Sequence, residues 1–148
     1  MVDRFEKFSF AISEMSHYWH KIAADEMKKY GLKGPYVVYF TTLYRFPEGI
    51  TAAKLGELCS RDKSDVSRAI SILEKKGLIT KESVNKNLYR ALIKLTEEGM
   101  ELAEHINEKA KAAVEYSSQG ISEAHREIFY DTLELICKNL QALSQKGL

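Results

Sequence analysis

Apolar side chains recur along the first thirty residues at alternating intervals of three and four positions. The residues that carry this repeat are Phe5, Phe8, Ile12, Met15, Trp19 and Ile22. Such spacing places all of them in one stripe along an α-helix. The pattern therefore predicts a long amphipathic helix that ends near Gly31, because glycine readily takes the left-handed conformation that closes a helix.

Three shorter helices are predicted next. The aromatic-rich segment Pro35–Phe46 has a proline in its first turn, where the missing N–H is not needed. Thr51 and Asp62 are typical N-cap residues, and they indicate two further helices that end around Cys59 and at Lys76. Only a tight turn separates the helix capped by Thr51 from the helix capped by Asp62.

After Lys76 the apolar period changes from that of a helix to that of a strand. Two short strands, Leu78–Ser83 and Tyr89–Leu95, are predicted on either side of a polar hairpin tip at 84–88. Thr96 and Ser122 are N-cap residues of two final helices. The pattern predicts a mainly α (α+β) fold, a winged helix-turn-helix with a two-stranded β-wing and long helices on both flanks.

Composition excludes several classes of protein. The 148 residues suit one domain or one domain with an oligomerisation appendage, and no apolar run approaches the roughly 20 residues of a membrane span. Cys59 and Cys137 are too few for a disulfide framework, which is typical of a reducing compartment. A soluble cytoplasmic protein is expected.

The net charge of +1 conceals an uneven distribution. Residues 60–94 contain nine basic and four acidic side chains, a net charge of +5, and the rest of the chain carries −4. A compact basic segment in an acidic chain favours a local site for a polyanion. By charge alone, a solvated helix face explains the segment equally well.

The second helix of the predicted helix-turn-helix has the size to enter the major groove of double-stranded DNA. Arg68 is the candidate for bidentate hydrogen bonding to guanine. Asp65, near the helix start, can bind free backbone N–H groups or orient a neighbouring arginine. Lys75 and Lys76 are interpreted as ordinary solvent-facing residues. The candidate DNA-binding residues are Lys63, Ser64, Asp65, Ser67, Arg68, Ser71, Lys81, Lys86 and Arg90.

The terminal helices carry more apolar surface than a reading module of about 50 residues covers. We therefore predict dimerisation helices at 1–30 and 97–148, and a DNA-binding lobe at 31–96. A symmetric dimer would hold its two reading helices about 34 Å apart, one turn of DNA. Packing within the monomer is the alternative, but the length of these helices favours the dimer.

Three segments carry motifs at a characteristic spacing: DKSDVSR at 62–68, ILEKKGLI at 72–79 and LIKLTEEG at 92–99. In this order they resemble the multiple-antibiotic-resistance regulator (MarR) family of winged-helix transcription factors, and the resemblance covers nearly the whole chain. It implies a homodimeric, usually repressing regulator of a small palindromic operator. Such regulators often bind a small aromatic or anionic effector between the dimer helices and the winged-helix lobe.

The predicted wing departs from the family pattern. Family wings commonly carry Asp-x-Arg just before the last strand, where this chain has Asn87 and Tyr89. Arg90 follows one residue later, but a shift of one residue along a strand reverses the face of the side chain. This departure and Asp65 favour an alternative function, a winged-helix protein-interaction module that no longer binds DNA.

An aromatic cluster suggests a pocket for a flat effector. Its candidate residues are His17, Trp19, Tyr36, Tyr39, Phe40 and Tyr44. Aromatic residues at helical spacing are more often core residues, so both interpretations stand.

Other chemistry has weak support in the sequence. His17 and His20, with Glu14, could form one edge of a metal site, but no cysteine or carboxylate cluster completes it. We expect no metal and no cofactor, and we assign Cys59 and Cys137 to packing. No Gly-rich phosphate loop, nucleophile elbow or zinc-protease motif is present, so no enzymatic activity is expected.

Overall fold

The structure, a computed structural model, describes residues 3–84 and 87–148, and these form two compact units that divide between Glu108 and Lys109. The elements follow the predicted order. They are α1 (Arg4–Lys28), a 3-10 turn (Gly34–Tyr36), α2 (Val37–Tyr44), β1 (Ile50–Thr51), α3 (Ala52–Cys59), α4 (Lys63–Lys75), β2 (Ile79–Val84), β3 (Asn87–Leu95), α5 (Glu97–Ser117) and α6 (Glu123–Lys146). The winged-helix fold is therefore confirmed.

Capping side chains explain where the helices begin. An oxygen of Thr51, Asp62 or Ser122 accepts a hydrogen bond from the backbone N–H three residues later, at 2.7 to 3.3 Å. All three caps were predicted. Gly31 has a φ of 69°, which confirms the left-handed residue expected after α1, and Gly77 follows α4 with a similar φ of 73°.

The second predicted helix begins differently from the expectation. Residues Gly34–Tyr36 form a 3-10 turn, and the α-helix starts only at Val37. A Cβ on Gly34 would lie 3.1 Å from the Cα of Ala24 in α1, so the chain passes close to α1 at this point. Glycine permits this approach because it has no Cβ.

The sheet has one short strand more than the predicted two-stranded wing. Its order is β1-β3-β2, with Ile50 opposite Ile93 and Thr51 opposite Leu92. All pairings are antiparallel. A strand of two residues is too short to show an alternating pattern, which explains why β1 was not predicted.

The hydrophobic core lies in the unit before Lys109. Its largest fully buried side chains are Met27, Tyr39, Phe40, Leu43, Leu55, Leu73, Ile79 and Ile93. They come from α1, α2, α3, α4 and the sheet. The buried side of α4 therefore packs against a dense core, which fixes the position of its exposed side.

Thr96 fastens the start of α5 to the turn after α4. Its hydroxyl donates to the Gly77 carbonyl at 2.7 Å and accepts from the Gly99 N–H at 3.0 Å. A Cβ on Gly99 would collide with the carbonyl of Leu78. The LIKLTEEG segment therefore has a structural reason for both its threonine and its glycine.

The unit after Glu108 consists of the second half of α5 and of α6. Arg126 joins the two helices, because its guanidinium donates to the Ser118 carbonyl at 2.9 Å and pairs with Glu115 at 3.2 Å. Among the helices of the described residues, none is long and apolar enough to cross a membrane.

Candidate nucleic-acid interface

Helix α4 turns its predicted reading residues toward solvent. Val66, Ala69, Ile70 and Leu73 are buried against the core. The exposed candidates on the other side are Lys63, Ser64, Ser67, Arg68 and Ser71. The structure thus brings five of the nine candidates together on one exposed helix surface.

A close approach of α3 to the start of α4 fixes the geometry of the helix-turn-helix. A Cβ on Gly56 would lie 3.1 Å from both the Arg61 carbonyl oxygen and a methyl carbon of Val66. The Arg61 N–H donates to the Gly56 carbonyl at 2.9 Å, and Ser60 takes a left-handed φ of 53°. The turn is therefore tight, and α4 is held firmly against α3.

Asp65 is paired with a cation. Its carboxylate lies 3.7 Å from the guanidinium of Arg61, and both side chains are about one-third exposed, at 38% and 35%. Of the two roles predicted for Asp65, the structure contains the pairing with a neighbouring arginine. The ion pair partly offsets the negative charge that Asp65 brings to the surface.

Tyr39 is buried near this ion pair. Burial and the Asp65 carboxylate raise the pKa of its phenol to about 12, while Arg61 acts in the opposite direction. Within residues 3–84 and 87–148, its hydroxyl has no hydrogen-bond partner. Tyr39 is thus a buried phenol whose pKa responds to the charges of Asp65 and Arg61.

The two cysteines have different surroundings. Cys59 is buried, with its thiol 3.4 Å from the Thr42 hydroxyl, and burial raises the pKa of the thiol. Packing, as predicted, therefore describes Cys59. Cys137 is exposed on α6 in the single chain, so the packing expected of it stays a prediction.

The wing presents its described cations on opposite faces. Lys81 is exposed and pairs directly with Ile93, so the two side chains lie on the same face of the sheet. This is the core side, because Ile93 is buried. Arg90 is exposed and precedes the buried Ala91, so it projects from the other side. The two predicted wing cations therefore do not share one face.

Part of the basic charge of the wing is already paired. Lys94 lies 3.2 Å from the Glu82 carboxylate across β2 and β3. The remaining wing candidate, Lys86, lies outside the described residues, as do the side chains of Asn87 and Tyr89.

The predicted effector pocket divides between core and surface. Tyr39 and Phe40 are 2% and 0% exposed and belong to the core, which is the second interpretation given above. The ring of Tyr36 packs 6.1 Å from that of Tyr39, and the Tyr44 hydroxyl lies 3.5 Å from Glu104. Tyr39 and Phe40 therefore lie in the core, and Tyr36 and Tyr44 pack against it.

The two candidates on α1 lie at the surface. Trp19 is 44% exposed, and His17 lines a shallow depression beside Glu14 and Tyr18. His20, the other residue of the possible metal edge, has its Nδ1 3.4 Å from the Ser16 hydroxyl. The part of the chain that the structure describes has no group of three or more potential metal ligands.

A cavity of about 510 Å³ lies elsewhere, at the ends of α1 and α4 and the start of α5. Tyr30, Lys76, Glu98, Glu101 and His105 contribute its aromatic and charged lining. The rings of Tyr30 and His105 meet edge to face at 6.3 Å. Sequence periodicity gives no sign of this cavity, because its residues come from separate elements.

Comparison with known proteins identifies relatives of this fold. The sequence model of the MarR family matches residues 30–86. The search of curated proteins found no match. Among solved structures, the chain is similar to the transcriptional regulator SlyA at 26% identity, with a TM-score of 0.82 over 90% of this chain and 93% of that one.

Two further structures extend the comparison. A putative MarR family regulator from Listeria monocytogenes, solved with a 26mer DNA, is 28% identical, with a TM-score of 0.78 over 99% of this chain and 97% of that one. A MarR regulator from Methanosarcina mazei shares the fold at 23% identity, with a TM-score of 0.82 over 95% of this chain and 93% of that one. The resemblance to the MarR family is therefore confirmed, by the family match over residues 30–86 and by the winged-helix fold that nearly the whole chain shares with MarR-family regulators.

Proposed function

We propose that this protein is a sequence-specific DNA-binding transcription regulator, acting as a homodimeric repressor on a palindromic operator. The exposed surface of α4 carries the proposal. Five polar residues are exposed on the side of the helix opposite its buried residues: Arg68, Lys63, Ser64, Ser67 and Ser71. This is the arrangement with which a recognition helix reaches base edges in the major groove.

The charge of the reading segment supports the same function. Residues 60–94 carry a net charge of +5 in a chain whose total is +1. Within that segment, Asp65 and Glu82 are each paired with a cation, which reduces their repulsion of phosphate. The similar regulator from Listeria was solved with DNA, which is consistent with this use of the fold.

Exposed apolar residues on the terminal helices support the homodimer. All six residues of the α1 stripe are exposed, from Phe8 at 42% to Phe5 at 74%. Helix α6 exposes a second set, Ile128, Phe129, Leu133, Leu135, Leu140 and Leu143. Contiguous apolar surface is uncommon on monomers and is typical of an interface. We therefore assign the helices of 1–30 and 97–148 to dimerisation and residues 31–96 to DNA binding.

We further propose that the effector is a small aromatic molecule. The cavity beside Tyr30 and His105 offers two aromatic rings within a volume suited to a small ligand. Its lining includes two glutamates, Glu98 and Glu101, and one lysine, Lys76, and this excess of carboxylates favours an aromatic over an anionic effector. A ligand there would contact the C-terminal end of the reading helix.

A gel-shift titration on a duplex selected from random sequence tests DNA binding. We expect Arg68→Ala to weaken specific binding by about 5- to 150-fold per half-site, the cost of one lost bidentate contact. Lys75→Ala is the matched control on the same helix, and it should weaken binding to all sequences slightly and equally. Both variants retain the buried side of α4.

The proposal fails if equal losses are found for the two variants, because α4 would then not read bases. It also fails if no duplex is enriched while sedimentation shows an intact dimer. The second result would favour the protein-interaction module instead.

A further inference from the structure

Ile72 is an apolar side chain on the exposed, polar side of α4. Its side chain is 40% exposed, although the helix already buries four other apolar residues against the core. The other exposed residues of α4 are lysine, serine, arginine and glutamate. Ile72 is therefore not required to complete the core.

Ile72 continues the row of the reading residues. Ser64, Arg68 and Ile72 are spaced by four positions, so they lie one above another along the helix. At 1.5 Å per residue, the row from Ser64 to Ile72 is about 12 Å long, and the major groove is wide enough to admit an α-helix. A helix that lies along the groove can thus bring all three side chains to base edges.

We propose that Ile72 determines sequence specificity by contacting the C5-methyl group of a thymine in the operator. The proposal rests on the function proposed above. The thymine methyl is the apolar group that base edges present in the major groove, and an isoleucine can neither donate nor accept a hydrogen bond. Ile72 therefore favours thymine and disfavours a base that presents an unsatisfied polar group.

The position of the thymine follows from the helix geometry. One step of four residues separates Arg68 from Ile72 by about 6 Å, which corresponds to about two base pairs of DNA. Each operator half-site should therefore contain a thymine within about two base pairs of the guanine that Arg68 binds.

Methyl deletion on the DNA, combined with side-chain truncation on the protein, tests the contact directly. In the selected duplex, each thymine is replaced in turn by deoxyuridine, which keeps the hydrogen-bonding groups and lacks the methyl. With the unaltered protein, one replacement per half-site should weaken binding about fourfold, the effect of one methyl group lost from an apolar contact. With Ile72→Ala, the same replacement should have no effect on affinity.

Lys75→Ala is the matched control, because Lys75 is exposed on the same helix three residues from Ile72, lies outside the reading set and should leave the deoxyuridine effect intact. Thermal unfolding of both variants checks that the exposed substitutions preserve the fold. The inference is overturned if the deoxyuridine effect persists in Ile72→Ala or is absent at every thymine. If Arg68→Ala nevertheless weakens specific binding far more than Lys75→Ala, the proposed function stands without this inference. If no duplex binds, both fail.

Discussion

The carboxylate of Asp65, in the first turn of α4, lies 3.7 Å from the guanidinium of Arg61, which precedes the helix. This pair explains how an acidic residue can occupy a surface proposed to meet phosphate. Arg61 neutralises part of the charge of Asp65, and Asp65 in turn keeps Arg61 close to the helix. We therefore expect the pair to limit the affinity for DNA of any sequence rather than the reading of a particular base.

Replacing Asp65 with asparagine is expected to strengthen binding to DNA of any sequence. The substitution removes a negative charge and frees Arg61 for a phosphate. The slope of log K against log salt concentration should steepen by about 0.9, the contribution of one additional phosphate contact. Titrations of a non-cognate duplex at several salt concentrations measure this slope. Glu74→Gln changes charge equally on the exposed side of the same helix, so a similar change in both variants would contradict a role for the Arg61 pair.

The buried phenol of Tyr39 is expected to make the folded state less stable in strong alkali. Because its pKa in the folded state is about 12, above the ordinary value of 10, the folded protein retains a proton that the unfolded chain releases. The stabilising effect is complete below pH 10 and is lost as the pH rises toward 12. Tyr39→Phe should flatten this fall in the free energy of unfolding, measured by urea denaturation between pH 9 and pH 12.

Tyr116→Phe is the control for Tyr39, because Tyr116 is 75% exposed. Tyr39→Phe should also cost little stability near pH 7, since the hydroxyl it removes has no hydrogen-bond partner among the described residues. Parallel alkaline profiles for the two variants would show that the environment of Tyr39 does not govern the effect.

The sequence predicted the elements whose signal is local. The period of Val66, Ala69, Ile70 and Leu73 defines the buried side of α4, and therefore also the side on which Arg68 is exposed. Caps and glycines located the helix ends for the same reason. Features that join distant segments were missed. Strand β1 exists only through its pairing with β3, and the cavity near Tyr30 only through the meeting of three elements.

The aromatic residues of α2 show why residue type and spacing could not distinguish a ligand pocket from the hydrophobic core. Tyr39 and Phe40 fit a ligand pocket and a core equally well in sequence, because both environments require large apolar groups. Packing of α2 against α3 and the sheet decides the matter, and it depends on residues far away in the chain.

The left-handed residue in the helix-turn-helix offers a stabilising substitution. Ser60 has a φ of 53°, a conformation that costs a residue with a Cβ about 1 to 2 kcal/mol, whereas glycine adopts it freely. After the greater flexibility of glycine in the unfolded chain is deducted, Ser60→Gly should raise the free energy of unfolding by about 0.5 to 1 kcal/mol. Urea denaturation at neutral pH measures the change. Ser60→Ala keeps the backbone cost and should not stabilise; equal gains in both variants would refute the backbone explanation.

The apolar stripe of α1 should hold the dimer together. Trp19 is 44% exposed in the chain and lies within the stripe, so a dimer interface there would remove its indole from water. Trp19→Glu would place a carboxylate in that interface, and the dissociation constant of the dimer should rise at least 30-fold, equivalent to about 2 kcal/mol. Sedimentation equilibrium measures this constant, and circular dichroism checks that the helices remain. Ser13→Glu introduces the same charge on α1 away from the stripe and should leave the dimer intact. A Trp19→Glu protein that dimerises as tightly as the Ser13→Glu protein would exclude the α1 stripe as the interface.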